Sequence, residues 1–308
     1  MTDRYNNYNE TLRCRFGCRV QKISINAGFT CPNRDGTKGR GGCTFCNNQT
    51  FFPEYCSPQK SAVRQMEEGM HFFRRYEGQK YLAYFQAYTN TYAPLETLRR
   101  LYEPVLEMED VVGIVVGTRP DCVDGPLLDY FAELSERCYV MVEYGVESTD
   151  DRTLRRINRG HSFAESVWAI EETARRGISV GAHLILGLPG ESRVQMFLRA
   201  ETMSSLPLDM VKLHQLQIVR GTAMAREYEA HPERFHLFTA EEYVGLCVDF
   251  IAHLDCHIGI GRFVSQSPKG MLVAPDWGLK NYEFVAMLEK ALARRDVRQG
   301  KLCRSAIG

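Results

Sequence analysis

Apolar residues come in short runs that end in turn residues. Six such runs lie at 22–26, 80–88, 111–117, 138–146, 178–187 and 210–218. They are dense in Val, Ile, Tyr and Phe, which predicts strands. The gaps read as helices over 60–76, 94–108, 125–137 and 191–204, with Pro104 expected to kink or end its segment. Two more helices open on a capping box. One starts at Ser162 with Glu165 and stops before Gly177; the other starts at Thr239 with Glu242. Six strand–helix units in series predict an α/β fold with a parallel sheet and helices outside. The candidates are a partial (β/α)6 TIM-like barrel and an open doubly wound sheet. In both, a site belongs at the C-terminal ends of the strands. We divide the chain into an N-terminal segment at 1–20, a barrel core at 21–225 and a small C-terminal extension at 226–308. The extension holds helices at 239–254 and 281–296 around an irregular stretch at 255–278.

Composition narrows the setting. The 308 residues are 44% apolar, and Lys+Arg and Asp+Glu both total 38. A zero net charge gives no support for a polyanionic partner, although local basic stripes remain. The first 20 residues have no apolar core, and no run reaches the roughly 18 apolar residues of a membrane span. We expect no signal peptide, no membrane partner and a cytoplasmic location. The eleven cysteines are odd in number, which favours reduced thiols or metal ligands over disulfides. Cys122, Cys138, Cys247 and Cys256 lie in or beside apolar runs and read as small buried hydrophobes.

The chemistry concentrates in residues 31–46, CPNRDGTKGRGGCTFC, which follow the first strand. The spacing is Cys31-x11-Cys43-x2-Cys46. A Cys-x2-Cys pair can chelate one centre from a single turn. Arg34, Lys38 and Arg40 add positive charge that favours thiolates. Three readings stand: incidental buried cysteines, a structural zinc with Cys56 as fourth ligand, and an iron–sulfur cluster on three cysteines with one iron left open. Cys14 and Cys18 have three residues between them but no third partner, and they precede the first strand.

The stretch KISINAGFTCPNRDGTKGRGGCTFC is similar to the YhcC/YtqA-like family of the radical SAM superfamily. Its wide first gap also resembles the radical SAM domain of the Elongator catalytic subunit. The resemblance implies a barrel in which Cys31, Cys43 and Cys46 hold a [4Fe–4S] cluster, with S-adenosylmethionine on the fourth iron. It implies reductive cleavage to methionine and a 5′-deoxyadenosyl radical that takes a hydrogen atom from the substrate. The usual first gap in that superfamily is x3, and this chain departs from it.

The resemblance also makes demands of the other strand ends. Relatives often carry Gly-Gly-Glu after the second strand. Here Gln86, Thr89, Asn90 and Thr91 stand in its place, with Gln86 and Asn90 as ammonium partners. After the third strand come Arg119 and Asp121, either a solvated ion pair or a substrate contact. On the fourth strand Glu143, Gly145 and Glu147 share one side. The resemblance implies that Glu147 reaches the ribose or methionine end and that Arg159 pairs with the carboxylate, with Arg155 and Arg156 as rivals. The turn Gly187-Leu188-Pro189-Gly190 resembles the one relatives set against adenine. On the sixth strand His214 shares the parity of Lys212 and is expected to face the lumen as a cofactor contact, with Gln217 nearby. The chain has no G-x4-G-K-[ST] and no H-E-x-x-H.

For the substrate, the Elongator-like kinship suggests tRNA and modification of the wobble uridine side chain. Basic candidates are Arg13, Arg15, Arg19 and Lys22 near the start, and Lys290, Arg294, Arg295, Arg298, Lys301 and Arg304 near the end. The aromatics at 81, 84, 85, 88 and 92 are candidates for base stacking. An electron donor such as flavodoxin or ferredoxin is implied. The alternatives are a small-molecule or protein substrate, or a non-catalytic, zinc-stabilised RNA-binding protein.

Overall fold

The computed structural model describes residues 4–47 and 53–303. One parallel sheet carries the fold. Its strands are β1 (Val20–Ile25), β2 (Lys80–Phe85), β3 (Val111–Thr118), β4 (Tyr139–Glu147), β5 (Ser179–Leu186), β6 (Met210–Gln215) and β8 (Gly259–Arg262), paired side by side in that order. Two short strands, β7 (Ile218–Val219) and β9 (Leu272–Ala274), pair antiparallel beside it. Six of the seven strands of the main sheet lie on the expected runs. The seventh is Gly-Ile-Gly-Arg at 259–262, which lacks a β-branched run and sits in the stretch read as irregular.

Alternation along the strands sorts the two faces. Ile23, Phe85, Val116, Val142, Val180 and Val211 point outward into the main apolar core. That core is covered by α3 (Ala62–Phe73), α4 (Leu95–Leu106), α5 (Gly125–Ser135), α7 (Phe163–Arg175), α8 (Arg193–Ser204), α10 (Ala240–His253) and α11 (Asn281–Arg294). Both expected capping boxes form, at Ser162 with Glu165 and at Thr239 with Glu242. Pro104 lies inside α4, which ends two residues later.

The inward face has its own smaller cluster. Leu82, Tyr84, Val115, Met141 and Met210 meet Tyr8 and Leu12 of α1 (Tyr8–Phe16). Asn6 accepts the Ile260 N–H on β8, at 2.7 Å, while α1 packs against β1. This helix, absent from the sequence reading, therefore plugs the N-terminal end of the lumen between the two edge strands.

Several expectations change. Tyr81 and Phe85 belong to the outer core and Tyr84 to the lumen, so of the aromatics proposed for stacking only Tyr88 is exposed beside the cavity described below. Lys22 is not a surface cation: its side chain enters the lumen and pairs with Glu143 at 2.8 Å. Arg4 pairs with Asp296, and Gln299 accepts from Asn6, so the two chain ends meet at the floor end of the sheet. Arg13, Arg15 and Arg19 precede β1 at that same end, opposite the cysteines. Arg304 lies outside the described residues. Cys256 is exposed, unlike buried Cys247, because it sits in the turn before β8.

Candidate active site

The cysteine loop is pinned by its own backbone. Cys31 ends in extended geometry and caps the single turn α2 (Pro32–Asp35), accepting the Arg34 and Asp35 N–H groups. Asn33 O accepts from Gly42 at 2.8 Å, and Thr44 N donates to Ile157 O at 2.9 Å. Gly42 has φ +77, and a Cβ there would meet the Arg34 side chain at 2.8 Å, so the close turn requires glycine. The Asn33 amide donates to Asn158 O at 2.6 Å and approaches Cys43 Sγ at 3.8 Å. This asparagine, which sequence reasoning passed over, ties the cysteine loop to the segment that carries Arg159.

All three cysteines line one cavity of about 220 Å³ at the C-terminal strand ends. Cys31 and Cys43 are buried and Cys46 is half-buried. Burial first, and Cys43 beside it, push the Cys46 thiol up to about 11, while Arg34 and Arg159 oppose the rise. Among the described residues, only Asp255, Cys256 and His257 bring three ligand atoms within 4.8 Å of one another. The loop sulfurs do not close to that spacing. A tetrahedral zinc, with bonds of about 2.3 Å, would hold its sulfurs roughly 3.8 Å apart. Cys56 is not a lining residue; its thiol donates to Ser24 O at 3.0 Å. Cys14 and Cys18 also lie away from the cavity.

Of the three basic residues expected beside the sulfurs, Arg34 is there and Lys38 and Arg40 are not. Arg34 donates to Cys46 O at 2.8 Å. Lys38 instead pairs with Asp121 at 2.8 Å, and Arg40 is exposed. Arg159 is the second cation of the site, with Nη1 3.5 Å from Cys43 Sγ and Nη2 3.8 Å from Glu147 Oε1. Its Nη2 also donates to Gly145 O at 2.5 Å, and its buried Nε has no partner among the described residues. Glu147 sits at a break in the β4–β5 register with φ +67, which turns its side chain toward the cavity. Arg119 and Asp121 form a buried pair at 2.8 Å rather than a solvated one, and Arg119 donates to Arg159 O at 2.8 Å. Burial would raise the Asp121 carboxyl, but Arg119 and Lys38 hold it at about 2. Arg155 and Arg156 are both exposed, and Arg156 pairs with Glu227.

The remaining sequence candidates divide. Gln86 and His214 line the cavity. Asn90 does not; its amide donates to Ala87 O and Gly117 O and holds the loop after β2. Gly187, Leu188, Pro189 and Gly190 are not lining residues either. Leu188 is buried in a satellite core with Leu216 and Ile218, and the turn borders the cavity only through Leu216. Behind it lies a network that sequence reasoning missed. Arg199, on α8, donates to Ile185 O at 2.9 Å and Ser148 Oγ at 3.2 Å and pairs with buried Glu191.

Deeper in the lumen, Glu143 is fully buried and takes Lys22, Lys212 and His183 at 2.8, 2.5 and 2.8 Å. Burial opposes its charge, yet Lys212 and Lys22 hold it well below the usual carboxylate range. Burial lowers Lys212 to about 7, with Glu143 opposing and Lys22 and Arg262 assisting.

The comparisons agree with this geometry. The sequence profile of the Radical SAM superfamily matches residues 29–198, and that of the Radical_SAM C-terminal domain matches 208–294. YtqA of Bacillus subtilis is 37% identical over 97% of this chain and 92% of its own. A tRNA uridine(34) acetyltransferase of Methanocaldococcus infernus is 29% identical over 37% of this chain and 21% of its own. The solved structure of archaeal Methanocaldococcus infernus Elp3 with an N-terminal deletion matches at a TM-score of 0.68 and 16% identity, covering 91% of this chain and 64% of that one. The chain therefore belongs to the radical SAM superfamily, whose enzymes use a [4Fe–4S] cluster and S-adenosylmethionine.

Proposed function

We propose that this radical SAM enzyme acts on tRNA in the cytoplasm, at the side chain of the wobble uridine. The observation that carries the reading is the rim of the cavity. Arg40, Arg220 and Lys269 on loops, and Arg155 on the short helix Asp151–Arg156, are exposed at the cysteine end, and none has an ion pair among the described residues. Asn47 of the cysteine loop donates to Arg220 O at 2.9 Å, which holds that arginine's backbone beside the opening. Tyr88 is 37% exposed and lines the cavity beneath Arg34, 5.6 Å from its guanidinium. Unpaired cations around a mouth with an exposed ring suit a phosphate backbone and an unstacked base. The uridine(34) acetyltransferase relative supports the same substrate class.

Cys31, Cys43 and Cys46 would hold the cluster, and Arg159 the carboxylate of S-adenosylmethionine. That pair supplies a primary carbon radical for hydrogen abstraction. The chain's own residues orient and enclose. Arg119 fixes the backbone of Arg159, Asn33 locks the cysteine loop to that segment, and α1 closes the floor against water. An electron donor of the flavodoxin or ferredoxin type supplies the reducing electron. No helix among the described residues is long and apolar enough to cross a membrane.

The test is the modified-nucleoside profile of tRNA from a strain lacking the gene. Loss or replacement of a wobble-uridine derivative is expected, restored by the wild-type gene but not by Cys43→Ala. An unchanged profile overturns the tRNA reading and leaves the enzyme class intact.

A further inference from the structure

The base of the lumen holds more positive than negative groups. Glu143 is its one carboxylate, shared by Lys22, Lys212 and His183. Arg262 reaches the same cavity from the edge strand β8 and has neither a hydrogen bond nor an ion pair among the described residues. Its charge acts on Tyr84, His183, Lys212 and His214. Lys22, Lys212 and Arg262 thus face one carboxylate; Lys212 is buried, Lys22 partly buried and Arg262 exposed, and excess buried charge is costly unless it is matched.

Donor capacity is also unfilled. The Lys212 ammonium gives one N–H to Glu143 at 2.5 Å and one to Tyr84 OH at 3.2 Å, which leaves its third N–H. His214 pairs through Nδ1 with Ser265 Oγ, while its buried Nε2 has no partner. Burial keeps His214 neutral, with His183 and Arg262 pushing the same way. The Nδ1 contact allows either tautomer; in the one where Nδ1 accepts the Ser265 hydroxyl, the proton sits on Nε2 and is available to an acceptor. Lys212, His214 and Arg262 all line the cavity. Open donors in a positive, enclosed space are matched by a group that only accepts.

We propose that the β6–β8 wall of the lumen binds a small oxyanion, a carboxylate or a phosphate, through Lys212, His214 and Arg262. The anion belongs to a small co-substrate or to the buried end of the substrate. This site is distinct from Arg159, which lies beside Cys43. Its assignment does not depend on tRNA being the substrate.

The experiment is titration calorimetry on cluster-loaded protein saturated with S-adenosylmethionine, using sodium acetate and inorganic phosphate as separate probes. The saturating cofactor occupies Arg159, so remaining anion heat reports the β6–β8 wall. One of the two probes should bind, and which one binds tells carboxylate from phosphate. Its affinity should drop at least tenfold in Arg262→Gln and in His214→Phe. The groups facing Lys212 are Lys22, Tyr84, Glu143, His183, His214 and Arg262, and Lys212 is lowered to about 7. Acetate, whose charge is constant over the range, should therefore bind more weakly as the pH rises from 6 to about 8.5. Arg262 is exposed on a short edge strand, so its variant keeps the test open if a buried one misfolds. Absence of binding by both anions, equal affinity in Arg262→Gln, or heat seen only without S-adenosylmethionine overturns the proposal.

Discussion

Arg159 Nη1 lies 3.5 Å from the Sγ of Cys43. The contact joins the end of the β4 segment to the cysteine loop, twelve residues beyond Glu147. Burial opposes the charge of Arg159, but Cys43 and Glu147 raise its pKa further, so it stays cationic. A buried guanidinium with its Nε unpartnered offers a free edge for a carboxylate. Arg159→Gln should leave the cluster in place, read as iron and sulfide content. Affinity for S-adenosylmethionine should fall at least tenfold, in line with the roughly 1.5–3 kcal/mol of a charge-assisted hydrogen bond. Arg159→Lys should recover little, because a point charge cannot reproduce the fork. Unchanged cofactor affinity in either variant sinks the assignment.

Asp121 gives the fold an acid-sensitive joint. Its side chain is 1% exposed and is held by Arg119 and Lys38 at about 2, against an ordinary 3.8. A depressed carboxyl stabilises the folded state above its unfolded value. That contribution is lost as the pH falls through the window from 3.8 towards 2. The loss is on the order of 2 kcal/mol. Buried His161, lowered to about 3 chiefly by burial and by Arg159, adds to it as the pH falls from 6.5. Asp121→Asn should be less stable than wild type at pH 6, and the gap should narrow by pH 3, in urea unfolding followed by circular dichroism. A gap that stays constant over that range would falsify the joint.

Arg199 and Glu191 are each 1% exposed, and together with Ser148 they hold the ends of β4 and β5. Removing one partner strands a buried charge. Arg199→Met should therefore cost about 3–5 kcal/mol in unfolding free energy. Adding Glu191→Leu removes the stranded charge as well, so the double variant should be more stable than the sum of the two single changes. Strict additivity in denaturant midpoints counts against a coupled pair.

Sequence patterning reveals what repeats and hides what is single. Six strands and both capping boxes were legible because period-two and 3.6-residue patterns average over many residues. β8 was not, since Gly-Ile-Gly-Arg carries little strand signal and gains its place only by pairing with β6. The same holds within the site. The three cysteines announce themselves by type and spacing, and Glu147 and Arg159 by the resemblance built on them. Asn33, Arg119 and Arg199 are ordinary polar residues whose roles arise from partners 40 to 126 positions away in the chain for the first two, and from the β4 and β5 ends for the third. Lys22 was misplaced for the same reason: a basic residue beside Arg19 reads as surface until the strand's parity turns it inward.

Gly145 separates cofactor binding from folding. It lies on β4 between Glu143 and Glu147, facing the cavity. A Cβ built there would meet Arg159 Nη2 at 2.6 Å and Glu147 Oε1 at 2.7 Å. Both are the far ends of flexible side chains, so the strand itself tolerates the methyl group and the side chains must move. The move breaks the 2.5 Å bond from Arg159 to Gly145 O and carries the guanidinium away from Cys43. Gly145→Ala should therefore fold with a melting temperature close to that of wild type and still take up iron and sulfide. Its affinity for S-adenosylmethionine should fall at least tenfold, matching Arg159→Gln, and the double variant should be no worse than either single one. Gly125→Ala, where the nearest atom to a Cβ is 3.8 Å away, serves as the control and should bind the cofactor normally. If Gly145→Ala binds like that control, the position of Arg159 does not depend on the missing side chain, and the separation of binding from folding at Gly145 fails.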